Sequence, residues 1–369
     1  MKDLDKYRGC LIGGAVGDAL GYAIEFLDET SIFKRYGKSG ITEYDLVKDV
    51  AEISDDTQMT LFTANGLLLG TTRGMSRGIM GTYPSYIALC YKDWLQTQNR
   101  KYPVNEKNTY TWLINVPELF SSRAPGNTCL TAIENGADGT IDKPINNSKG
   151  CGGIMRVAPI GLYFEGRNYT IDEIDIIGAE TAAITHGHEL GYIPAAALVH
   201  IIQLVSHHDD ITLLDAVLDM KEAISRQFAD KKHLSELVAL IDKAVALSKE
   251  NIDDLEAIRK LGQGWVAEET LAIAIYCSLK YSNDFEQALI ASVNHGGDSD
   301  STGAVTGNIL GAYLGLKGIS KKYLDNLELK EVILEIADDL YNDCKITEYG
   351  SYHDEIWEQK YIYKTYKPE

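Results

Sequence analysis

Two short stretches pair carboxylates with hydroxyls. "GGDSDSTG" carries Asp298, Asp300 and Ser301, and "SDDT" carries Ser54, Asp55, Asp56 and Thr57. Each precedes an apolar run with helical spacing, so each reads as a helix start. An acid there is favourable, because free N–H groups and the helix dipole stabilise it. Capping needs one such residue, however, and these stretches supply four carboxylates. The surplus points to a hard oxygen donor set, which selects Mg²⁺ or Mn²⁺, singly or as a pair, over zinc. Two acidic caps without a metal are the plainer alternative. Calcium fits poorly: "DSDSTGAVTGNI" opens like an EF-hand loop, but Ile309 stands where that loop needs a bidentate Glu.

Other stretches offer complementary chemistry. Glu25 ends the largely apolar "GDALGYAIEF", which also holds Asp18. A carboxyl in such surroundings has a raised pKa, which suits proton transfer, whereas a helix end facing water gives no shift. "NNSKGCGGIMRVAPIGL" places Gly150, Gly152 and Gly153 before an apolar stretch with Arg156, and "RAPGNTCLTAI" places Gly126, Asn127 and Thr128 before another. Such loops free backbone N–H groups to meet an anion at a helix start; a plain loop is the alternative for either. His186 and His188 lie two apart in "ITHGHELGY". That spacing does not stack them on one helix face, so a two-histidine zinc site is disfavoured and a capping or ligand-contacting role fits one of them.

The elements that must position these groups are helical. "AVGDALGYAIEF", "QMTLFTANGLLL", "YIPAAALVHIIQLV", "LSELVALIDKAVALS", "EETLAIAIYCSLKY", "DFEQALIASV" and "LKEVILEIADDLYND" all repeat apolar residues every three or four positions. The best strand candidate is the short "ITEYDLV". The reading is an all-α globule in a single domain over 1–369, with irregular loops around 28–50, 71–84, 98–128 and 136–153. The polar segment 206–265 reads as a peripheral helical subregion. Gly9, Gly13, Gly17 and Gly21 are four apart, as are Gly303, Gly307 and Gly311. Each set falls on one helix face. Helical glycine costs about 1 kcal/mol against alanine, so the repeats imply close helix approach, close approach to a ligand, or both.

Composition narrows the classes. The 369 residues are 45% hydrophobic, enough for a large core. A net charge of −19 disfavours nucleic acid as a partner. Six scattered cysteines without a C-x-x-C pair disfavour zinc fingers and disulfide frameworks, and suggest a reducing cytoplasm. The N-terminal "MKDLDKYRGCLIGGAVGDALG" is acidic at its start and interrupted by Asp18, unlike a signal peptide or membrane span.

With these stretches taken together, the chain resembles the ADP-ribosylglycohydrolase family, which includes dinitrogenase reductase-activating glycohydrolase and the ADP-ribosylarginine hydrolases. The resemblance runs in order through "GCLIGGAVGDALGYAIEF", "SDDTQMT", "RAPGNTC", "GCGGIMRVAPIGL", "THGHELGY" and "HGGDSDSTGAVTGNILG". It implies a compact orthogonal multi-helix bundle with a central cleft holding two Mg²⁺ or Mn²⁺. The implied ligands are Ser54, Asp55, Asp56, Asp298, Asp300 and Ser301. The implied proton-handling set is Glu25, Asp55, Asp56 and Asp300. Gly126, Asn127, Ser148, Gly150, Cys151, Gly152, Gly153, Met155 and His186 would line the ADP-ribose site, with a tyrosine-rich loop stacking adenine. The implied partner is an ADP-ribosylated protein, and the motifs lie nearer the arginine-type than the serine-type members. Occlusion without turnover, and hydrolysis of another ADP-ribose or phosphate compound, are the competing expectations. The oligomeric state is not read from the sequence.

Overall fold

A computed structural model describes residues 2–104 and 108–368. The α-helices in chain order are α1 (Leu4–Tyr22), α2 (Glu29–Tyr36), α3 (Asp55–Arg77), α4 (Tyr83–Asn99), α5 (Asn127–Glu134), α6 (Ala158–Tyr163), α7 (Ile171–Ala183), α8 (Glu189–His207), α9 (Leu213–Gln227), α10 (Leu234–Leu247), α11 (Asp254–Leu261), α12 (Ala267–Lys280), α13 (Phe285–Val293), α14 (Ser299–Leu314), α15 (Lys330–Asn342) and the single turn α16 (Glu355–Glu358). The expected all-α class is observed; among the described residues only isolated β-bridges occur.

The two glycine repeats meet. Helices α1 and α14 run antiparallel, with Gly9 against Gly311, Gly13 against Gly307, Gly17 against Gly303 and Gly21 against Ser299. A Cβ on Gly17 would lie 2.0 Å from the Gly303 carbonyl oxygen, and one on Gly307 2.0 Å from that of Gly13. No side chain fits between these backbones, so the glycines are required for the approach. The antiparallel register brings the C-terminal end of α1, followed by Glu25, beside the N-terminal end of α14 with Asp298 and Asp300.

Helix α8 is the buried centre, packed by α6, α7, α9, α12 and α14. It is long and apolar enough to cross a membrane, yet 94% of its apolar window is buried inside the protein. Helices α9 and α10 press apolar faces inward, Leu213, Val217, Met220 and Ile224 from one and Leu237, Ile241 and Ala244 from the other. The segment 206–265 thus lies against α8 and α12, although its last residue, Trp265, reaches the cleft described below.

Three local expectations are corrected. "ITEYDLV" is not a strand: Asn294 accepts from Ile41 N–H at 2.7 Å and donates to Ile41 C=O at 2.9 Å, and Val47 at the other end makes an isolated bridge to Val50. The loop expected over 28–50 contains α2, capped by Asp28 accepting from Ser31 N–H at 2.7 Å. The loop expected over 71–84 is shorter, because α3 continues to Arg77 and α4 begins at Tyr83.

Candidate active site

Both acidic stretches are helix N-termini. Ser54 caps α3, its Oγ accepting from Asp56 N–H at 3.1 Å. Asp18, wholly buried on α1, accepts from Ser54 N–H at 2.9 Å and Thr57 N–H at 3.0 Å, and also from the Thr57 hydroxyl. The N–H groups at the start of α3 are therefore partly served by another helix, which leaves Asp55 and Asp56 free for other work. Asp55 accepts from Gly126 N–H at 3.3 Å, which ties the "RAPGNT" loop to this end. Asp298 caps α14, accepting from Ser301 N–H at 3.3 Å, and Asp300 accepts from the same N–H at 3.0 Å.

The α1–α14 seam then closes the site. One carboxylate oxygen from each of Glu25, Asp298 and Asp300 lies within 4.8 Å of the others. Asp55 and Asp56 face the same cleft, and all five are buried. Burial pushes the Glu25 carboxyl up to about 10, reinforced by Asp300, Asp298, Asp55 and Asp18. Burial first, and the Asp300 charge second, raise Asp55, Asp56 and Asp298 well above the carboxylate range. Asp18 rises to about 7 for the same two reasons. Glu25 Oε2 and Asp56 Oδ2 are buried without a hydrogen-bond partner. Orphaned oxygens in a cluster of mutually repelling acids are suited to a hard divalent cation, which would supply the missing partner and reverse the pKa shifts.

The cleft holds about 340 Å³. Of the ligand, proton-handling and ADP-ribose-site residues implied by the resemblance, Glu25, Asp55, Asp56, Gly126, Asn127, Gly150, Cys151, Gly152, Met155, His186, Asp298, Asp300 and Ser301 line it. Three do not. Ser54 is fully buried as the α3 cap. Ser148 braces the glycine loop from the side, its hydroxyl 3.3 Å from that of Thr128 and accepting from Gly150 N–H at 3.4 Å. Gly153 is a packing position, where a Cβ would lie 3.0 Å from the Gly191 oxygen and 3.1 Å from Ala182 Cβ. The two histidines divide their roles. His188 caps α8, accepting from Leu190 N–H at 3.0 Å, while His186 faces the cleft.

Sequence reading missed the rim. Phe26, 72% exposed, and Trp265, 40% exposed, stack with ring centroids 6.5 Å apart at 25° and line the mouth. Among the described residues the lining holds no tyrosine; Tyr7, Tyr91, Tyr163, Tyr276 and Tyr323 are core residues. The available signals were Phe26 following Glu25, and Trp265 following Gly262 and Gly264, both at positive φ. Asp18 was visible, but not its partner α3. A larger hollow of about 470 Å³ lies between α4, α7 and residues 136–140. Its lining is mainly apolar, and its Glu180 is committed to Ile141 N–H at 3.2 Å.

Comparison with known proteins places this geometry. Residues 1–349 match the family model described as ADP-ribosylglycohydrolase. ADP-ribosylhydrolase ARH3 of Mus musculus is 26% identical, over 89% of this chain and 88% of its own. The ADP-ribosyl-[dinitrogen reductase] glycohydrolase of Rhodospirillum rubrum is 25% identical over 88% and 91%. The ADP-ribosylarginine hydrolase Tri1 of Pseudomonas putida is 22% identical over 92% and 78%. A solved structure titled "ADP-ribosylglycohydrolase-related protein complex" superposes with a TM-score of 0.55 at 22% identity, covering 92% of this chain and 98% of that one, and so shares the fold. With the family match spanning nearly the whole chain, the protein is an enzyme of the ADP-ribosylglycohydrolase family.

Proposed function

We propose that the protein hydrolyses the N-glycosidic bond between ADP-ribose and a modified arginine, reversing mono-ADP-ribosylation. One observation carries the reading. Two helix N-termini and the end of α1 deliver five buried carboxylates to a cleft whose other wall is the Gly150–Gly152 loop with His186. Acids without a neighbouring anion site would suit many hydrolases; here both line one cleft.

Asp55, Asp56, Asp298 and Asp300, with the hydroxyl of Ser301, would hold two Mg²⁺ or Mn²⁺, and Ser54 would hold the start of α3 behind them. Bound there, the pair would supply Lewis acidity toward a water and the ribose hydroxyls. The chain's own residues do the rest. The start of α5 presents N–H groups to the diphosphate, with the Gly150–Gly152 loop giving it close backbone approach, which supplies local attraction in a protein of net charge −19. Glu25, with an unpartnered oxygen in the cleft, takes a proton from the attacking water. The water oxygen bonds to C1, the bond from C1 to the guanidino nitrogen breaks, and that nitrogen gains the proton as arginine departs. The transition state is oxocarbenium-like.

The partner is then an ADP-ribosylated protein, and six unpaired cysteines suit a reducing cytoplasm. Release of ADP-ribose from arginine-linked ADP-ribosyl protein with Mg²⁺ or Mn²⁺, abolished by EDTA, is the expected result. A second linkage has its own support, because several relatives at 24–26% identity are named ARH3 and that name specifies no arginine. Release from serine-linked but not arginine-linked substrate would move the assignment. ADP-ribose binding without any release would favour occlusion.

A further inference from the structure

The guanidinium of Arg156 is wholly buried beneath the cleft, and among the described residues no carboxylate pairs with it. An unpaired buried charge is strongly unfavourable unless local groups and a function compensate. Its partners are neutral. Nη2 donates to Thr181 C=O at 3.2 Å and to Thr185 Oγ1 at 2.7 Å, Nη1 approaches the sulfurs of Cys129 and Met59, and the group lies over the Tyr91 ring at 4.4 Å. Thr185 Oγ1 is in turn 2.8 Å from His186 Nδ1. We propose that Arg156 and Thr185 are positioning residues that fix His186 as the neutral Nε2–H tautomer, with that N–H presented to an oxygen of the bound ADP-ribose. The inference rests on the family reading for its ligand, but not on the linkage that is cleaved.

The donor count and the strength of the available acceptors set the direction. A guanidinium only donates, so Arg156 occupies a lone pair of the Thr185 oxygen. The other lone pair and the hydroxyl hydrogen are left for two neighbours, His186 Nδ1 at 2.8 Å and the Cys129 sulfur, and the hydrogen goes to the imidazole nitrogen because it is the stronger acceptor. That nitrogen accepts, and the ring proton resides on Nε2. Burial, with the Arg156 charge behind it, depresses the His186 pKa to about 3, so the ring is neutral at working pH. Nε2 has no protein hydrogen bond among the described residues and lies against the glycine loop. A Cβ would sit 3.3 Å from it at position 150 and 3.4 Å at position 152. Glycine at both positions leaves the nitrogen open to the cleft.

The resting protein allows a test without turnover. Imidazole ¹⁵N shifts of His186, assigned with His186→Gln, should show the Nε2–H tautomer at neutral pH in wild type. Thr185→Val, which keeps the shape, should disturb that pattern and weaken ADP-ribose binding by calorimetry about tenfold, roughly one charge-assisted hydrogen bond. Thr185→Ser should restore both. In the Thr185→Val/His186→Ala double variant the losses should not add, because Thr185 acts through His186. An Nδ1–H tautomer in wild type, unchanged affinity in Thr185→Val, or additive losses would each overturn the proposal. Should Thr185→Val fail to fold, the wild-type tautomer and the Thr185→Ser variant still decide. Absence of ADP-ribose binding by wild type would instead count against the family's ligand in this chain.

Discussion

Gly17→Ala tests the seam that assembles the site. The new Cβ would start 2.0 Å from the Gly303 carbonyl oxygen and 2.3 Å from its carbon, whereas ordinary contact begins near 3.4 Å. Both obstacles are backbone, so neither can rotate away, and α1 and α14 must part by about 1.4 Å there. Alanine itself favours a helix by about 1 kcal/mol over glycine, while overpacking of this kind costs about 1–3 kcal/mol. We expect a net loss of up to about 2 kcal/mol by urea unfolding in EDTA. Gly303 lies three residues beyond Asp300, so the shift reaches the acids directly. A misplacement of about 1 Å in a catalytic constellation lowers the rate roughly 100-fold, and Mn²⁺ affinity should fall with it. Gly74→Ala on α3 is the control: its Cβ meets the flexible Met80 side chain, closest at the sulfur at 3.0 Å, and no backbone, so it should be neutral or stabilising. A Gly17→Ala protein with wild-type stability and Mn²⁺ affinity would refute the role given to the seam.

Four further outcomes follow from the same geometry. Asp55→Ala and Asp300→Ala should each abolish calorimetric metal binding and ADP-ribose release; full activity in either would end the metal assignment. Adding Mg²⁺ or Mn²⁺ to the EDTA-treated protein should raise its stability, by about 2.7 kcal/mol at a hundredfold excess over Kd, because it relieves repulsion among buried acids; an unchanged melting temperature would contradict this. Asp18→Asn should destabilise the start of α3 by about 1–3 kcal/mol, the cost of leaving buried N–H groups poorly paired, as seen in urea midpoints. His200 lies between Asp175 at 2.8 Å and Asp219 at 2.9 Å. Burial lowers its pKa, but those hydrogen bonds and charges outweigh it and hold the pKa above the ordinary value. The stabilisation is therefore complete below the ordinary histidine pKa and lost as pH rises through the folded one. Urea midpoints of wild type should fall over that rise, and His200→Gln should flatten the slope.

The sequence by itself determined the elements and their chemistry. Apolar spacing of three and four residues marks a helix whatever it packs against, so most of the bundle was legible. Paired acids with hydroxyls at helix starts are local signals, as are glycine loops, and they named most of the cleft lining. Tertiary structure decided which ends meet. Two four-residue glycine repeats announce two close-packed faces, but only the folded register sets Gly17 opposite Gly303, and hence Glu25 beside Asp298 and Asp300. Roles that depend on a partner distant in sequence were equally hidden: Asp18 holding the start of α3, Arg156 beneath His186, and Phe26 against Trp265. The failed strand shows the same limit, since "ITEYDLV" has strand-like residues but no neighbouring strand among the described residues, and its first residue, Ile41, is held by the Asn294 side chain. Helical periodicity and capping arise within a few residues of chain. A binding cleft arises from surfaces brought together by packing, and its register and its buried charge partners exist only once that packing is made.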